Sequence, residues 1–306
     1  MAVGAGLLSL FAAEPPVRCG IEMRNVMLRG GGGVALHIRS LDGEFVSRSP
    51  DRPPIFDDPG SYTLRMRSAD IAMDAASITA LMRQSLASHP APISDVTVTL
   101  AGGAMQIKGK LKKGVAVPFT ITASVTASSD GLLRLHAGKV KAAAVPVKGL
   151  FDLLGVDLAD LIKMPPESGI RAEKDDLLMD PAALMPPPRM VGRVRTAAID
   201  GNRLALHFTG DAVPPRRPAT LPFPAAKNYL YFYGGSIRFG KLTMSDADMQ
   251  LIDADPSTPF DFFPERYEDQ LVAGYSRNTR RKGLQVFMPD YSRIPRNGGM
   301  LKPALR

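Results

Sequence analysis

Three histidines stand in the same local setting, in Val34-Ala35-Leu36-His37, Leu133-Arg134-Leu135-His136 and Leu204-Ala205-Leu206-His207. Imidazoles delivered by three strands are one way to hold a metal ion. The period of two, however, puts each histidine on the face opposite its apolar pair, which is the solvent face. No carboxylate stands at a spacing that would orient the rings, so no metal is expected. Asp246, Asp248, Asp253 and Asp255 invite a divalent-cation reading. Along one strand the first two face one way and the last two the other, and the spacing misses the calcium-loop pattern. Gly30-Gly31-Gly32-Gly33 is followed by the strand-like run from Val34 to Ile38. A phosphate cradle needs a helix N-terminus there, so the glycines read as a flexible turn.

Motifs for nucleophilic catalysis are missing as well. Gly234-Gly235-Ser236-Ile237 continues with Arg238, which is no nucleophile elbow, and no His-Glu-x-x-His occurs. The single cysteine, Cys19, excludes a disulfide framework and a dithiol centre. A non-enzymatic role is therefore the expectation, with no cofactor. A hydrolase built on a carboxylate pair is the rival that needs no local motif.

The elements behind these residues are mostly strands. The chain has 306 residues, with 27 prolines and 28 glycines, which favours strands and turns over a helical bundle. Val115, Val117, Phe119, Ile121, Ala123 and Val125 alternate with polar or small residues. This predicts one long amphipathic strand, with Pro118 at an edge or a bulge. Asp130-Gly131 predicts a hairpin into Leu133 and Leu135. Upstream, Val96, Val98 and Leu100 lead through Gly102-Gly103 into Met105, Ile107 and Leu111, giving an antiparallel meander. Asp74 predicts an N-cap for a helix with Ile78, Leu81, Met82 and Leu86 on one face, stopped at His89-Pro90. A second helix is predicted from Val147, with Leu150, Phe151, Leu154, Leu158 and Leu161 apolar. The junctions Ile71 to Ala76 and Leu177 to Ala182 share one strand-to-helix pattern.

Five prolines between Pro214 and Pro224, with Arg216 and Arg217 among them, predict a linker or an extended segment along a rim. Beyond it, Tyr229, Tyr231 and Tyr233 alternate with Leu230 and Phe232, and Gly234-Gly235 predicts a turn into Ile237 and Phe239. A strand over Leu242 to Ile252, a helix near Pro264 to Tyr275 and a last strand at Leu284, Val286 and Met288 complete the pattern. The organisation expected is a signal-like or unstructured segment 1–20, an antiparallel α+β domain 21–211, a linker 212–227, a small C-terminal α+β unit 228–290 and a basic tail 291–306.

The ends bear on location. Val3 to Ala13 is small and apolar before Glu14-Pro15-Pro16, which resembles the core of a secretory signal. Arg18 directly before Cys19 excludes a lipid-attachment site. No run of eighteen apolar residues occurs, so no transmembrane helix is expected. From Tyr275 onward stand Arg277, Arg280, Arg281, Lys282, Arg293, Arg296, Lys302 and Arg306 against Asp290 alone, so nearly all of the +8 surplus lies there. Such a surplus suits an anionic membrane surface or is a solvated end. No nucleic acid is expected, and no protein partner is indicated.

What remains is apolar surface rich in methionine, among it Met23, Met27, Met66, Met73, Met82, Met105, Met164 and Met179. It either forms an ordinary closed core or lines a groove for ligands of variable shape. The run from Ile71 to Leu81, the strand Val115 to Val125 with its Val117-Pro118-Phe119, and Val147 to Leu154 together resemble the LmeA-like phospholipid-binding proteins of the bacterial envelope. They resemble, more distantly, the tubular lipid-binding (TULIP) superfamily. The resemblance covers residues 60 to 210, and no single motif in it transfers an individual contact. It implies long strands wrapped around helices and non-enzymatic binding or transport of a phospholipid or acyl chain in the periplasm or envelope. The lipid-lining candidates are then Met73, Ile78, Leu81, Met82, Val117, Phe119, Ile121, Leu150 and Leu154. Arg277, Arg280, Arg281 and Lys282 are the membrane-surface candidates. The alternative is a structural or adaptor protein of the envelope with a closed core and a basic docking tail.

Overall fold

The computed structural model describes residues 17–88, 93–113, 115–142, 145–147, 169–173, 176–185, 187–279 and 283–294. Strands β1 (Arg18–Arg29) and β2 (Ala35–Ser47) flank the glycine run, and β3 (Tyr62–Asp74) leads into α1 (Ala75–Ser88). The meander β4 (Ile93–Ala101), β5 (Ala104–Lys113), β6 (Val115–Ala127) and β7 (Leu133–Ala142) follows. Next come β8 (Val145–Val147), β9 (Ile170–Glu173), β10 (Asp176–Met179) and the single turn α2 (Pro181–Leu184). Then β11 (Arg189–Val191), β12 (Arg193–Asp200) and β13 (Arg203–Thr209) precede the proline-rich stretch. Beyond it lie β14 (Tyr229–Phe239), β15 (Leu242–Ser245), β16 (Asp248–Asp253) and β17 (Phe260–Phe262). The helix α3 (Tyr267–Ala273), β18 (Tyr275–Asn278) and β19 (Leu284–Met288) end the series.

Two sheets result, giving an α+β architecture rich in antiparallel pairs. The larger runs β12-β13-β3-β2-β1-β14-β16-β19-β18, with β11, β15 and β17 attached to its flanks. The smaller runs β4-β5-β6-β7-β10-β9, with β8 on β7. Strand β14 pairs with β1 over Cys19 to Arg24, so the strands after the proline-rich stretch extend the sheet that the first strands begin. One apolar cluster includes Ile21, Leu41, Met66 and Ile71 of the larger sheet and Met105, Phe119, Val125 and Leu135 of the smaller. Each large side chain so buried contributes about 1.5–3 kcal/mol.

The capping reading holds at α1, where the Asp74 carboxylate accepts the Ser77 N–H at 2.8 Å. Strand β6 is continuous, and its turn into β7 uses Gly131 at a φ of 86°. Pro118 faces Lys110 of β5, while the described ladder to β7 begins at Phe119. Val147 ends β8 rather than opening a helix; the rest of that predicted helix, with Leu150 and Leu154, lies outside the described residues.

Gly234-Gly235 does not turn the chain. Both glycines take positive φ, 57° and 63°, inside the continuous strand β14. Opposite them the register jumps, with Cys19 facing Gly235 and Gly20 facing Tyr233, so Gly234 is the extra residue of a bulge. An inserted residue exchanges the two faces of everything beyond it. Leu230 and Phe232 point into the core before the bulge, and Ile237 and Phe239 do so after it. Phe239 can then stack on Phe56 at 4.5 Å and meet Phe232 edge-on at 5.1 Å. A similar local break, Asp246 at a φ of 53°, divides the predicted Leu242–Ile252 strand into β15 and β16. The predicted C-terminal helix is reduced to α3, preceded by a 3-10 turn over Pro264–Arg266.

Candidate functional site

The predicted lipid stripe divides by burial. Met73, Ile78 and Phe119 are fully packed in the core, whereas Leu81, Met82, Val117 and Ile121 are half-buried. Leu81, Met82 and Ile121 still pack against the core cluster from its margin. The stripe is thus a closed base with a partly open rim. The methionines of the larger sheet behave likewise, with Met23 and Met66 buried.

Beside α1 lies an open groove of about 670 Å³, lined by Gly32, Ala76, Thr79, Ala80, Arg83, Gln84, Thr97 and Val98. The glycine turn supplies one wall, and the residues after it form a strand, as the sequence predicts. Thr79 ties helix to sheet, since its hydroxyl donates to Ala75 O at 2.7 Å and accepts the Val98 N–H at 2.9 Å. Arg83 Nε donates to Val96 O at 2.8 Å. The sequence reading missed this groove, because its lining comes from a glycine turn, α1 and β4, and no local pattern brings these together.

The histidines do not converge on a metal. His136 meets Asp176 at 2.7 Å and His207 meets Asp70 at 2.8 Å, each across neighbouring strands. Among the described residues no group of histidine, cysteine or acidic side chains could hold an ion. His37 instead belongs to a chain of hydrogen bonds. Arg203 donates to its Nδ1 at 3.0 Å, and its Nε2 donates to Asn25 Oδ1 at 2.8 Å. Asn25 Nδ2 donates to Asn228 Oδ1 at 2.8 Å, and Asn228 Nδ2 donates to Asp253 Oδ2 at 2.9 Å. Every link donates in the same sense, from guanidinium to carboxylate, so each bond polarises the next. Burial, then the charges of Arg203 and Arg39, hold the His37 pKa below its usual value, in keeping with the neutral ring this chain needs.

At its far end Asp253 is buried, and its other oxygen accepts the Asp255 N–H at 2.9 Å. Burial, with Asp290 and Asp255 adding repulsion, raises its pKa to about 6. The four aspartates of the sequence reading therefore part company. Asp248 accepts the Tyr231 hydroxyl at 2.9 Å, Asp255 pairs with Arg293, and Asp253 closes the chain described above.

Polar groups also cluster under the proline-rich stretch, which runs as an irregular strap over strands of the larger sheet. Glu22 and Glu44 are buried. Glu22 accepts from the Tyr229 hydroxyl at 2.7 Å and pairs with Arg217 of the strap at 3.0 Å. Glu44 accepts the Val213 N–H at 3.3 Å and pairs with Arg18 at 3.3 Å. Gln250 holds both the N–H and the carbonyl of Phe223, at 2.7 and 3.3 Å. Burial and the Glu22 hydrogen bond push the Tyr229 hydroxyl up to about 12. These partners lie up to 207 residues apart, which no local pattern announces.

Of the membrane-surface candidates, Arg277 is exposed and lies over the Tyr275 ring at 5.1 Å and the Phe287 ring at 5.8 Å. Arg280, Arg281 and Lys282 fall outside the described residues. No helix among the described residues is long and apolar enough to cross a membrane. The chain matches no protein-family model, no curated protein and no solved structure.

Proposed function

We propose that this chain binds a lipid, a phospholipid or acyl chain, without chemical turnover, as an exported protein of the cell envelope. The observation that supports the reading is that Leu81, Met82, Val117 and Ile121, the rim of the stripe, are half-buried, while its base of Met73, Ile78 and Phe119 is buried. A chain laid over that rim gains about 0.8 kcal/mol per buried methylene. About ten methylenes would then supply on the order of 8 kcal/mol before the ordering cost of association. Wrapping of the meander around α1 in the tubular lipid-binding manner belongs to the same proposal, as does contact of Arg277 with an anionic headgroup layer.

The test replaces rim residues rather than base residues. Phe119 is 6% exposed, so aspartate there would report on folding. Leu81→Asp and Ile121→Asp leave the base intact. Both variants are expected to lose displacement of a fluorescent phospholipid analogue by unlabelled phospholipid while keeping the wild-type circular dichroism. Unchanged displacement in both would remove the rim from the account. The rival, a closed-core adaptor, predicts no displacement even in the wild type.

A further inference from the structure

The groove beside α1 has a chemical character of its own. Its volume of about 670 Å³ falls within the roughly 300–1,000 Å³ of small-molecule sites. Ala76 and Ala80 stand four residues apart and share one face of α1, so the floor is small and apolar. Gly32 takes a φ of 70°, and a Cβ there would find only Gln84 Oε1, at 3.9 Å. The glycine turn therefore leaves that wall bare. On the opposite side Thr97 and Val98 belong to β4, the terminal strand of its sheet.

Arg83 gives the groove a polar end. Its Nε is held by Val96 O, which fixes the guanidinium plane. None of its ion-pairing capacity is used by a carboxylate among the described residues, in contrast to Arg18, Arg29, Arg65 and Arg67. The two remaining guanidinium nitrogens form a fork that suits a planar carboxylate. The hydroxyl of Thr79 is already committed on both sides, so the charge falls to Arg83.

We propose that this groove binds a single-chain fatty acid, its chain along Ala76, Ala80 and Val98 and its carboxylate on Arg83. The inference rests on the lipid-binding reading and names a ligand class and a place distinct from the rim. Titration calorimetry of the full chain with dodecanoate tests it. The wild type is expected to bind one equivalent. Ala76→Trp and Thr97→Trp, both at exposed positions that line the groove, should weaken binding at least tenfold by filling it. Arg83→Glu should do the same by repulsion, with Arg83→Gln in between. Wild-type affinity in both tryptophan variants would overturn the groove assignment and leave lipid binding to the rim. No dodecanoate binding by the wild type would overturn it as well. Phospholipid displacement at Leu81 and Ile121 then decides separately whether the lipid reading survives.

Discussion

Asp253 makes the stability of this fold depend on pH in an unusual direction. Its carboxyl is buried at the end of the Arg203-His37-Asn25-Asn228 chain, and its pKa is raised from an ordinary 3.8 to about 6. A raised carboxyl pKa means that the folded state holds a proton which the unfolded state has released. The stabilisation is therefore fully present below about pH 4 and is lost as pH rises through about 6. At about 1.4 kcal/mol per pH unit, the gap between the two states amounts to about 3 kcal/mol. Asp70 and Asp261, whose pKa values are lowered, contribute slopes of the opposite sign, but these are common to the wild type and to Asp253→Asn. The assay is urea unfolding of both proteins from pH 4 to pH 7.5. The wild type should lose about 3 kcal/mol relative to Asp253→Asn across that range. Parallel profiles would refute the reasoning and place the Asp253 proton elsewhere.

Other positions predict simpler outcomes. In Gly20→Ala the new methyl would sit 2.4 Å from the Tyr233 ring, so the urea midpoint should fall by the equivalent of about 2 kcal/mol. Phe119→Ala should cost about 3–5 kcal/mol and Ile121→Ala about half of that, a contrast that thermal denaturation would read directly. Arg217→Ala removes the cation that ties the strap to buried Glu22; trypsin cleavage after Arg216 should then be faster than in the wild type, whereas an equal rate would mean the strap is held without that pair.

Local patterns carried much of the fold. The alternation from Val115 to Val125 marks β6, Gly102-Gly103 marks the β4–β5 hairpin, Asp130-Gly131 the β6–β7 hairpin, and Asp74 the start of α1, because each signal acts within a few residues. Gly234-Gly235 shows where such reading stops. Left-handed glycines serve turns and bulges alike, and only pairing with Cys19 and Gly20 selects the bulge. The buried polar groups were illegible for a related reason. Glu22 is buried because Tyr229 and Arg217 reach it from the far side of the chain, and His37 is positioned by Asn25 and Arg203 rather than by its own strand. The stripe residues were legible as apolar, but alternation cannot tell the base at Phe119 from the rim at Ile121. That distinction depends on which neighbouring strands and helices cover them.

The most direct test of the central claim is native mass spectrometry of the full chain, released gently from its expression host and followed by organic extraction. Lipid binding predicts a bound mass in the phospholipid range that extraction recovers and that Ile121→Asp abolishes. A bare protein mass that stays bare after incubation with phospholipid vesicles would contradict it and favour the closed-core adaptor.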